Sequence, residues 1–371
     1  MTDQRLYQIG LTMVEGVGDA VARHLIEALG DAESIFRVRR SDLAKLPSVA
    51  SKVVERLLDP EVLRRAEREL RFVDDNHIQL FYYQDPSYPE RLRQCPDAPV
   101  LFYFKGQTDL NAAHVLSVVG TRHATAYGKA LTDRLIEELA ARVPDLLVVS
   151  GLAYGIDICA HRAAVRQGLA TVGVLAHGLD RIYPAVHRST AVEMLHKGGL
   201  LTDFPTGTNP DRPNFVRRNR IVAGLSEATL VVESATKGGS LITADLAVSY
   251  SRDVLAFPGR VGDPYSAGCN QLIRQNKAAL ISNAEELIET LSWDVQAKRQ
   301  PLPQQTQLLF DEADEAARIL RFLAEKQKAH LNEIAVAMAM PISQLSTILF
   351  ELELQGKVKT LPGSVYIPSI Y

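Results

Sequence analysis

Leu146-Leu-Val-Val-Ser-Gly-Leu-Ala-Tyr-Gly-Ile-Asp157 is the stretch that decides the fold of this 371-residue chain. Its first four residues are apolar and include two valines, which is typical of a strand buried on both faces of a parallel sheet. A turn with Gly151 and Gly155 follows, and a helical pattern then runs to about Gly168. Such a turn lets backbone N–H groups approach an anion closely, and the helix N-terminus adds a positive partial charge.

The same unit of strand, glycine turn and helix recurs along the chain. Further apolar runs precede such turns at residues 115–119, 171–175, 229–232 and 253–257. This repetition predicts an α/β protein with an extended Rossmann-like, doubly wound parallel sheet. Ligands of such sheets bind beyond the carboxyl ends of the strands, so the glycine turns mark the edge where a site is expected.

Composition and charge exclude several classes of protein. Hydrophobic residues make up 46% of the chain, as in a globular protein with a full core, and the net charge of -3 argues against a histone-like polyanion binder. No apolar run approaches the ~18 residues of a membrane span, and the first residues lack the apolar core of a signal peptide. We therefore expect a cytoplasmic protein that contacts no membrane. The three cysteines have no metal-ligand spacing, and neither a metal nor a cofactor is predicted.

The chain is predicted to contain three domains and a linker. These are a small helical domain at 1–75, an extended Rossmann domain at 76–292, a Gln/Pro-rich linker at 293–310 and a winged-helix domain at 311–371. The helical domain is expected to be separate from the sheet. Within the Rossmann domain, two aromatic-rich runs at 78–83 and 100–105 are expected to extend the sheet at one edge.

Both flanking domains contain features that often indicate DNA binding. Glu15-Gly-Val-Gly18 has the shape of a helix-hairpin-helix turn, but the second copy near Leu46 lacks the hairpin glycines, so a helical cap is favoured. The predicted recognition helix of the winged helix, 342–355, contains no Lys or Arg. Across 311–371, eight acidic and six basic residues give a charge of -2. Groove-reading modules need phosphate donors, so a protein-contact role is favoured for this domain.

The densest positive cluster is Arg212-Pro-Asn-Phe-Val-Arg-Arg-Asn-Arg220, at the polar start of a helix whose apolar half should pack on the sheet. Arginines that alternate around one aromatic residue are typical of a single-stranded nucleic-acid site, because the charges follow the backbone and the ring stacks on a base. The alternative is a solvated charge run with Phe215 in the core. The position of the cluster among anion-ready turns favours the site.

Residues of the same sheet edge complete the predicted single-stranded DNA site. The predicted contacts are Arg122, Gly151, Arg188, Arg212, Phe215, Arg217, Arg218, Arg220, Lys237, Gly239 and Ser240. The residues expected to support the shape of the pocket are Ser150, Asp157, His161 and Asn219. The chain lacks the full Gly-x-Gly-x-x-Gly fingerprint, a Walker lysine and a nucleophile elbow, so dinucleotide binding, ATP hydrolysis and acyl transfer are disfavoured.

Several of these motifs closely resemble the DNA-processing protein A family (DprA, also called Smf). The motifs are Ser150 to Asp157 with Ala160-His161, Gly178-Leu-Asp180 with Tyr183-Pro184, Arg217 to Ser226, Gly239 to Ala244, Ala256-Phe-Pro-Gly259 and Gly268 to Ile273. The resemblance is ordered and spans roughly residues 82–282. His177, His187 and Thr202-Asp203 depart from the residues that the family commonly has. The resemblance therefore does not define the detailed contacts near His177.

The resemblance implies a non-catalytic protein that binds single-stranded DNA during natural transformation, protects it and loads the RecA recombinase onto it. It implies a homodimer, for which Leu272 and Ile273 are the predicted interface, and a single-strand-binding protein is a further candidate partner. The family's DNA pocket maps onto Arg122 and onto Phe215 with its arginines. The alternative is a nucleotide-binding protein or nucleoside-monophosphate phosphoribohydrolase of the lysine-decarboxylase-like Rossmann superfamily, but the stretch after Lys237 lacks the catalytic glutamate of those enzymes.

Overall fold

The computed structural model of the protein describes residues 3–43, 51–293, 315–361 and 363–368. The chain divides into two compact units, Met1–Ala297 and Lys298–Tyr371. Apart from Trp293, the predicted Gln/Pro-rich linker lies outside the described residues. The same holds for residues 46–50 of the predicted degraded hairpin.

The first unit begins with helices. They are α1 (Gln4–Met13), α2 (Asp19–Leu29), α3 (Ala32–Arg37), α4 (Arg40–Leu43), α5 (Ser51–Leu57) and α6 (Pro60–Asp75). The start of α6 is fixed by Asp59, whose carboxylate accepts the Glu61 N–H at 2.9 Å, and by Pro60 in its first turn. The helices are not separate from the sheet as the sequence suggested, because Ile9, Leu25 and other helix residues share one apolar core with Leu101 and Tyr103 of the second strand.

Nine strands of the first unit form one sheet. They are β1 (Gln79–Tyr82), β2 (Leu101–Gly106), β3 (Val115–Val119), β4 (Leu147–Ser150), β5 (Ala170–Val174), β6 (Gly199–Thr202), β7 (Ala228–Val231), β8 (Asp253–Ala256) and β9 (Ala279–Leu280). The strand order is β1-β2-β6-β5-β4-β3-β7-β8-β9. From β6 to β9 all neighbours are parallel, whereas β1 and β2 add an antiparallel edge. The sheet confirms the predicted Rossmann-like fold, and its order reverses between β3 and β7, which pair side by side.

Helices cover both faces of this sheet. After α7 (Glu90–Arg93) they are α8 (Ala126–Arg142), α9 (Ile156–Arg166), α10 (Arg188–Met194), α11 (Arg212–Leu225), α12 (Gly239–Ser249), α13 (Ala267–Arg274) and α14 (Ala284–Thr290). Alternate residues of each strand point to opposite faces. Val115 and Val119 of β3 pack in the core that includes residues of α11 and α12, while Leu116 and Val118 pack in the core that includes residues of α8 and α9. Burial on both faces explains why the strands are continuous apolar runs.

The second unit is a winged helix, as predicted. Its elements are α15 (Glu315–Lys326), β10 (Ala329–His330), α16 (Leu331–Met338), α17 (Ile342–Leu354), β11 (Val358–Leu361) and β12 (Val365–Pro368). The strand order is β10-β12-β11, so a short strand that the sequence did not predict joins the wing. Ile319, Leu345 and Leu349 are among the buried residues that hold this unit together.

No single helix of the described residues is long and apolar enough to span a membrane. The helices α16 and α17 reach the required length and hydropathy only when they are taken together, across a bend of 110°.

Candidate nucleic-acid interface

A pocket of about 540 Å³ opens at the carboxyl edge of the parallel sheet. Its walls are the turns that follow β3, β4 and β7, together with the first half of α11 and the start of α12. This is the point at which the strand order reverses, and ligand sites of doubly wound sheets are found there.

Many of the predicted DNA contacts meet in this pocket. Those that line it are Arg122, Gly151, Arg212, Phe215, Arg218, Lys237, Gly239 and Ser240. Of the predicted supporting residues, Asp157 and Asn219 also line it. Arg188 and Arg217 do not lie in its wall, although both are exposed, and their role in DNA binding stays a prediction.

Phe215 forms the aromatic part of the wall. Its side chain is half-buried and belongs to none of the buried core clusters, so the alternative that Phe215 is a core residue is not supported. The Arg122 guanidinium carbon lies 4.8 Å from the centre of the Phe215 ring. The ring of Tyr183, which sequence reasoning did not select, lies 6.1 Å from that of Phe215. A positive charge and two aromatic rings therefore share one wall of the pocket.

The floor of the pocket is a buried cation. The guanidinium of Arg218 is almost completely buried and its Nη1 donates to the Val174 carbonyl at 2.6 Å. Burial lowers the pKa of Arg218 to about 10 against the opposing influence of Asp157, so the group keeps its charge at neutral pH. Burial likewise raises the pKa of Asp157, and the charge of Arg218 opposes that rise. Arg218 therefore contributes a fixed positive potential from beneath, rather than a freely moving contact.

Two glycines allow the pocket to close around this floor. A Cβ at Gly151 would collide with the Arg218 guanidinium and the Asp157 carboxylate. Gly155 has a φ of +80°, and a Cβ there would collide with the Thr121 carbonyl oxygen. Because Gly155 has no side chain, the Thr121 carbonyl can come close enough to accept the Ile156 N–H at 3.2 Å. The α9 N-terminus thereby fixes the turn that carries Arg122.

Glu233, two residues after β7, supports the pocket in a way that the sequence did not reveal. Its carboxylate accepts the Thr125 N–H at 2.9 Å and the Thr125 Oγ1 hydroxyl at 2.5 Å. Thr125 is the N-cap of α8, so the negative charge lies at the positive end of that helix. The Glu233 carbonyl also accepts the Thr121 N–H at 2.7 Å, which ties β7 to the Arg122 turn.

The two remaining supporting residues lie beneath the turns. Ser150 Oγ donates to the Val118 carbonyl at 2.6 Å and joins β4 to β3. Thr171 Oγ1 donates to the Val148 carbonyl, so the ring of His161 must donate its Nδ1–H to that hydroxyl at 2.7 Å. Burial lowers the pKa of His161 to about 3, and the ring is neutral. Both residues hold neighbouring elements of the sheet together, and their role in supporting a DNA pocket stays a prediction.

The prediction that Arg220 contacts DNA is wrong, because the structure uses this residue to hold elements of the fold together. Its guanidinium is buried and pairs with the Asp203 carboxylate at 2.5 Å and the Asp19 carboxylate at 3.1 Å, while it also donates to the Asp97 carbonyl. Arg217 reaches the same two carboxylates at 3.3 and 3.4 Å but remains half-exposed. Positions 215, 218, 219 and 222 of α11 line the pocket, whereas 217 and 220 do not. The helical period therefore separates the residues of the pocket from the two arginines that pair with carboxylates. That signal was present in the sequence.

Asp19 also explains the glycine hairpin of the N-terminal helices. It is the first residue of α2, directly after the Gly16–Gly18 turn, and its carboxylate accepts the Val100 N–H at 3.0 Å besides its ion pairs with the arginines. A carboxylate at this position competes with any phosphate. The hairpin therefore docks the helices on the sheet domain, which supports the favoured interpretation as a cap.

The predicted dimer interface is corrected in part. Leu272 is buried in the core of its own chain, so its side chain is not available to a second copy. Ile273 is only partly buried, and its place in an interface stays a prediction. Within the described residues, no group of three or more His, Cys, Asp or Glu side chains could hold a metal ion.

The fold and the pocket together define a class: Rossmann-like proteins with an electropositive, aromatic pocket at the switch point of the sheet and a winged helix after it. The chain belongs to the DprA/Smf family, since the family model for DNA recombination-mediator protein A matches residues 79–292 and the DprA winged helix domain matches residues 300–364. This confirms the resemblance noted in the sequence.

Relatives and solved structures agree with this assignment. The putative DNA processing protein DprA of Mycobacterium tuberculosis is 34% identical over 347 residues, which cover 91% of this chain and 88% of the relative. The X-ray structure of DNA processing protein A from Streptococcus pneumoniae superposes with a TM-score of 0.67 at 29% identity, over 78% of this chain and 98% of that one. DNA processing protein A from Helicobacter pylori, described for its single-stranded DNA binding mode, gives a TM-score of 0.53 at 30% identity, over 59% and 99%.

Proposed function

We propose that this protein binds single-stranded DNA in the pocket at the switch point and acts in DNA processing during natural transformation. One observation carries the proposal: a half-exposed Phe215 ring and the Arg122 guanidinium share the wall of a pocket whose floor is the buried cation of Arg218. Single-strand sites combine such rings with backbone charges, because every base has a face that can stack.

The geometry favours an unpaired strand over a duplex. A ring inside a pocket can stack only on a base that has left its own helical stack, and an unpaired base does so at little cost. Phosphates of the same strand would meet the exposed side chains of Arg212 and Lys237 and the N-terminus of α12 at Gly239. These contacts carry charge but no base sequence, so binding should tolerate many sequences.

The finer parts of the proposal rest on the family. We infer that the protein protects the incoming strand in the cytoplasm and loads RecA onto it, that it acts as a homodimer, and that it meets a single-strand-binding protein on the same strand. The Helicobacter pylori protein that shares the fold binds single-stranded DNA, which supports the first step of this sequence.

A binding role is favoured over catalysis because of where the carboxylates lie. Asp157 is the only carboxylate of the described residues that lines the pocket, and it is buried beside Arg218. Glu233 is occupied at the N-terminus of α8. A phosphoribohydrolase needs an accessible carboxylate at the sugar, so the alternative enzyme has no acid or base in the right place.

A salt-series binding assay tests the proposal. The full chain is titrated with single-stranded DNA, with duplex of the same length and with thymidine monophosphate at several salt concentrations. We expect tighter binding of the single strand and a steep loss with salt, because each neutralised phosphate releases counterions. Equal affinity for duplex, or a flat salt dependence, would contradict it. Release of free base from nucleoside monophosphates would instead establish the alternative enzyme.

A further inference from the structure

We infer that the bound strand leaves the pocket over a second aromatic surface, formed by Tyr183 and Tyr154, with Arg188 beside it. This inference rests on the proposed function and extends it from one base to the path of the strand. None of the motifs that resemble the family assigns a role to Tyr154, and the helix that begins at Arg188 lies outside the pocket wall.

Tyr183 connects the pocket to this surface. It lines the pocket, its ring lies 6.1 Å from that of Phe215, and 45% of the residue is exposed. The Tyr183 backbone N–H donates to Nε2 of the buried His177 at 3.3 Å, and the His177 Nδ1 lies 2.9 Å from the Gly178 carbonyl. One face of the ring is thus next to the proposed base site, while the segment below it is held by a buried histidine.

Tyr154 is the second ring of the proposed surface. It is 45% exposed and its ring meets the buried His187 ring edge-on, with 5.0 Å between centroids and an angle of 67°. Its chain neighbours are Ala153, which lines the pocket, and Gly155, which packs on the Arg122 turn. Both backbone neighbours of Tyr154 are therefore held against the proposed site, which fixes the position of its Cα atom.

His187 joins the two tyrosines into one rigid surface. Its Nδ1 donates to the Leu152 carbonyl at 2.9 Å, and its backbone N–H donates to the Pro184 carbonyl at 3.0 Å. The turn before Tyr154 and the residue after Tyr183 are consequently tied to the same buried residue, the first through its side chain and the second through its backbone. Rings that are already ordered lose little conformational entropy when a base stacks on them, which is what a stacking platform requires.

Charge beside the platform suits a phosphate backbone. Arg188 follows His187, is exposed and forms no ion pair with a carboxylate of the described residues. Tyrosine rings can stack on any base, and an arginine beside them that has no ion-pair partner binds phosphates of any sequence. The ligand class is therefore the continuation of a single strand, and not a second nucleotide of defined sequence.

The test compares strand lengths. Full-length protein with Tyr154→Ala or Tyr154→Leu is titrated with oligothymidylates of about 4 and about 12 nucleotides, the range of single-strand sites. We expect the longer strand to bind about 5- to 150-fold more weakly, as the loss of one stacked base gives, and the short strand to bind as before. Tyr154→Phe should bind both like the unaltered protein. Val186→Ala, which shortens an exposed aliphatic side chain between Tyr183 and Arg188, is the control.

An abasic scan locates the contact on the strand. A single abasic nucleotide is moved along the longer oligothymidylate, and one position should weaken binding to the unaltered protein yet cost the Tyr154→Ala variant nothing further. If no position behaves in this way while Phe215→Ala still loses affinity, the inference is overturned and the proposed function stands. If Phe215→Ala binds both strands normally, the pocket is not the site and both proposals fail.

Discussion

Two helices of this chain, α11 and α17, have the same task of packing an apolar face on a core, and they present opposite chemistry to solvent. In α11 the exposed half carries Arg212 and Arg217. In α17, the recognition helix of the winged helix by position, Phe350 and Leu354 are 61% and 73% exposed and no Lys or Arg occurs. The helix type that is known for reading DNA has no cationic donors for phosphates, whereas the helix of the sheet domain has them.

The difference shows that the winged-helix fold of the second unit does not by itself imply DNA binding. A winged helix predicts DNA binding only by analogy, and the side chains must supply the contacts. On α17 the exposed apolar pair flanks Glu351, which would repel a phosphate. On α11 burial divides one charge run into three roles: Arg220 holds the helical cap, Arg218 forms the pocket floor and Arg212 stays exposed at the pocket.

The largest expected effect comes from removing both contacts of the pocket wall. The double variant Arg122→Ala with Phe215→Ala should weaken single-strand binding by about 100-fold or more, because it deletes a stacked ring and a charged donor. The matched change in the other helix, Phe350→Ala with Leu354→Ala, should leave affinity within about 2-fold, since no phosphate donor is lost. Fluorescence anisotropy at one salt concentration measures both. A greater loss in the α17 variant would reverse the comparison.

Acid should destabilise the sheet domain more than the winged helix. His161 is buried and neutral with a pKa of about 3, below the value of about 6.5 in the unfolded chain. Its contribution is present above pH 6.5 and is lost as the pH falls, because the unfolded chain then binds a proton that the folded chain refuses. By pH 5 the loss is about 2 kcal/mol. The core of the winged helix in the described residues contains no histidine.

Scanning calorimetry of the full chain between pH 7 and 5 distinguishes the two units by their separate transitions. The control is His161→Gln, whose amide can still donate to Thr171 but does not titrate in this range. This variant should flatten the pH dependence of the sheet domain. An unchanged pH dependence would show that other groups, such as the buried His177, whose pKa burial also lowers, dominate the acid response.

Most of the fold could be predicted because its signals are local. Apolar runs such as 146–149 and the glycine turns after them lie within a few residues of each other, and each specifies a strand end and a helix start. The shared core of the N-terminal helices and the strand β2 could not be predicted, because it joins Ile9 and Leu25 to residues such as Leu101 that no local pattern connects.

The site was predictable to the same extent. Arg122, Phe215 and the Lys237 turn each carry a local signal, and the parallel sheet brings their turns to one edge. The roles of Glu233 and Tyr183 depend on tertiary contacts: Glu233 meets Thr125 across 108 positions of sequence, and Tyr183 reaches Phe215 only because α11 packs beside the turn. The exclusion of Arg220 from the pocket, in contrast, was predictable from the helical period of α11.

Salt dependence should distinguish the free arginines from the others. Arg122→Ala and Arg212→Ala should each lower the slope of log affinity against log salt by about 0.7, the value for one phosphate contact with a single strand. The control is Arg142→Ala, because this exposed residue ends α8 at the opposite edge of the sheet from the pocket. Titrations over a range of salt concentrations measure the slopes. Equal slopes in all three variants would mean that the pocket neutralises no phosphate.

The smallest expected effect is that of removing the winged helix altogether. A chain that ends at Ala297 retains the compact first unit and every residue that lines the pocket. The removed residues 298–371 contain eight basic and eight acidic side chains, so the net charge stays at -3 and the long-range electrostatic interaction with DNA is unchanged. Single-strand affinity and its salt slope should therefore remain within about 2-fold of the full chain, because counterion release follows the phosphates contacted.

The same anisotropy titration measures the affinity of the shortened chain. Circular dichroism and a thermal melt establish that this chain is folded, and gel filtration compares its oligomeric state with that of the full chain. A folded, shortened protein that has lost most of its single-strand affinity would move the site from α11 to α17. Retained single-strand affinity together with a lost protein partner would instead assign α17 the protein-contact role that its exposed Phe350 and Leu354 favour.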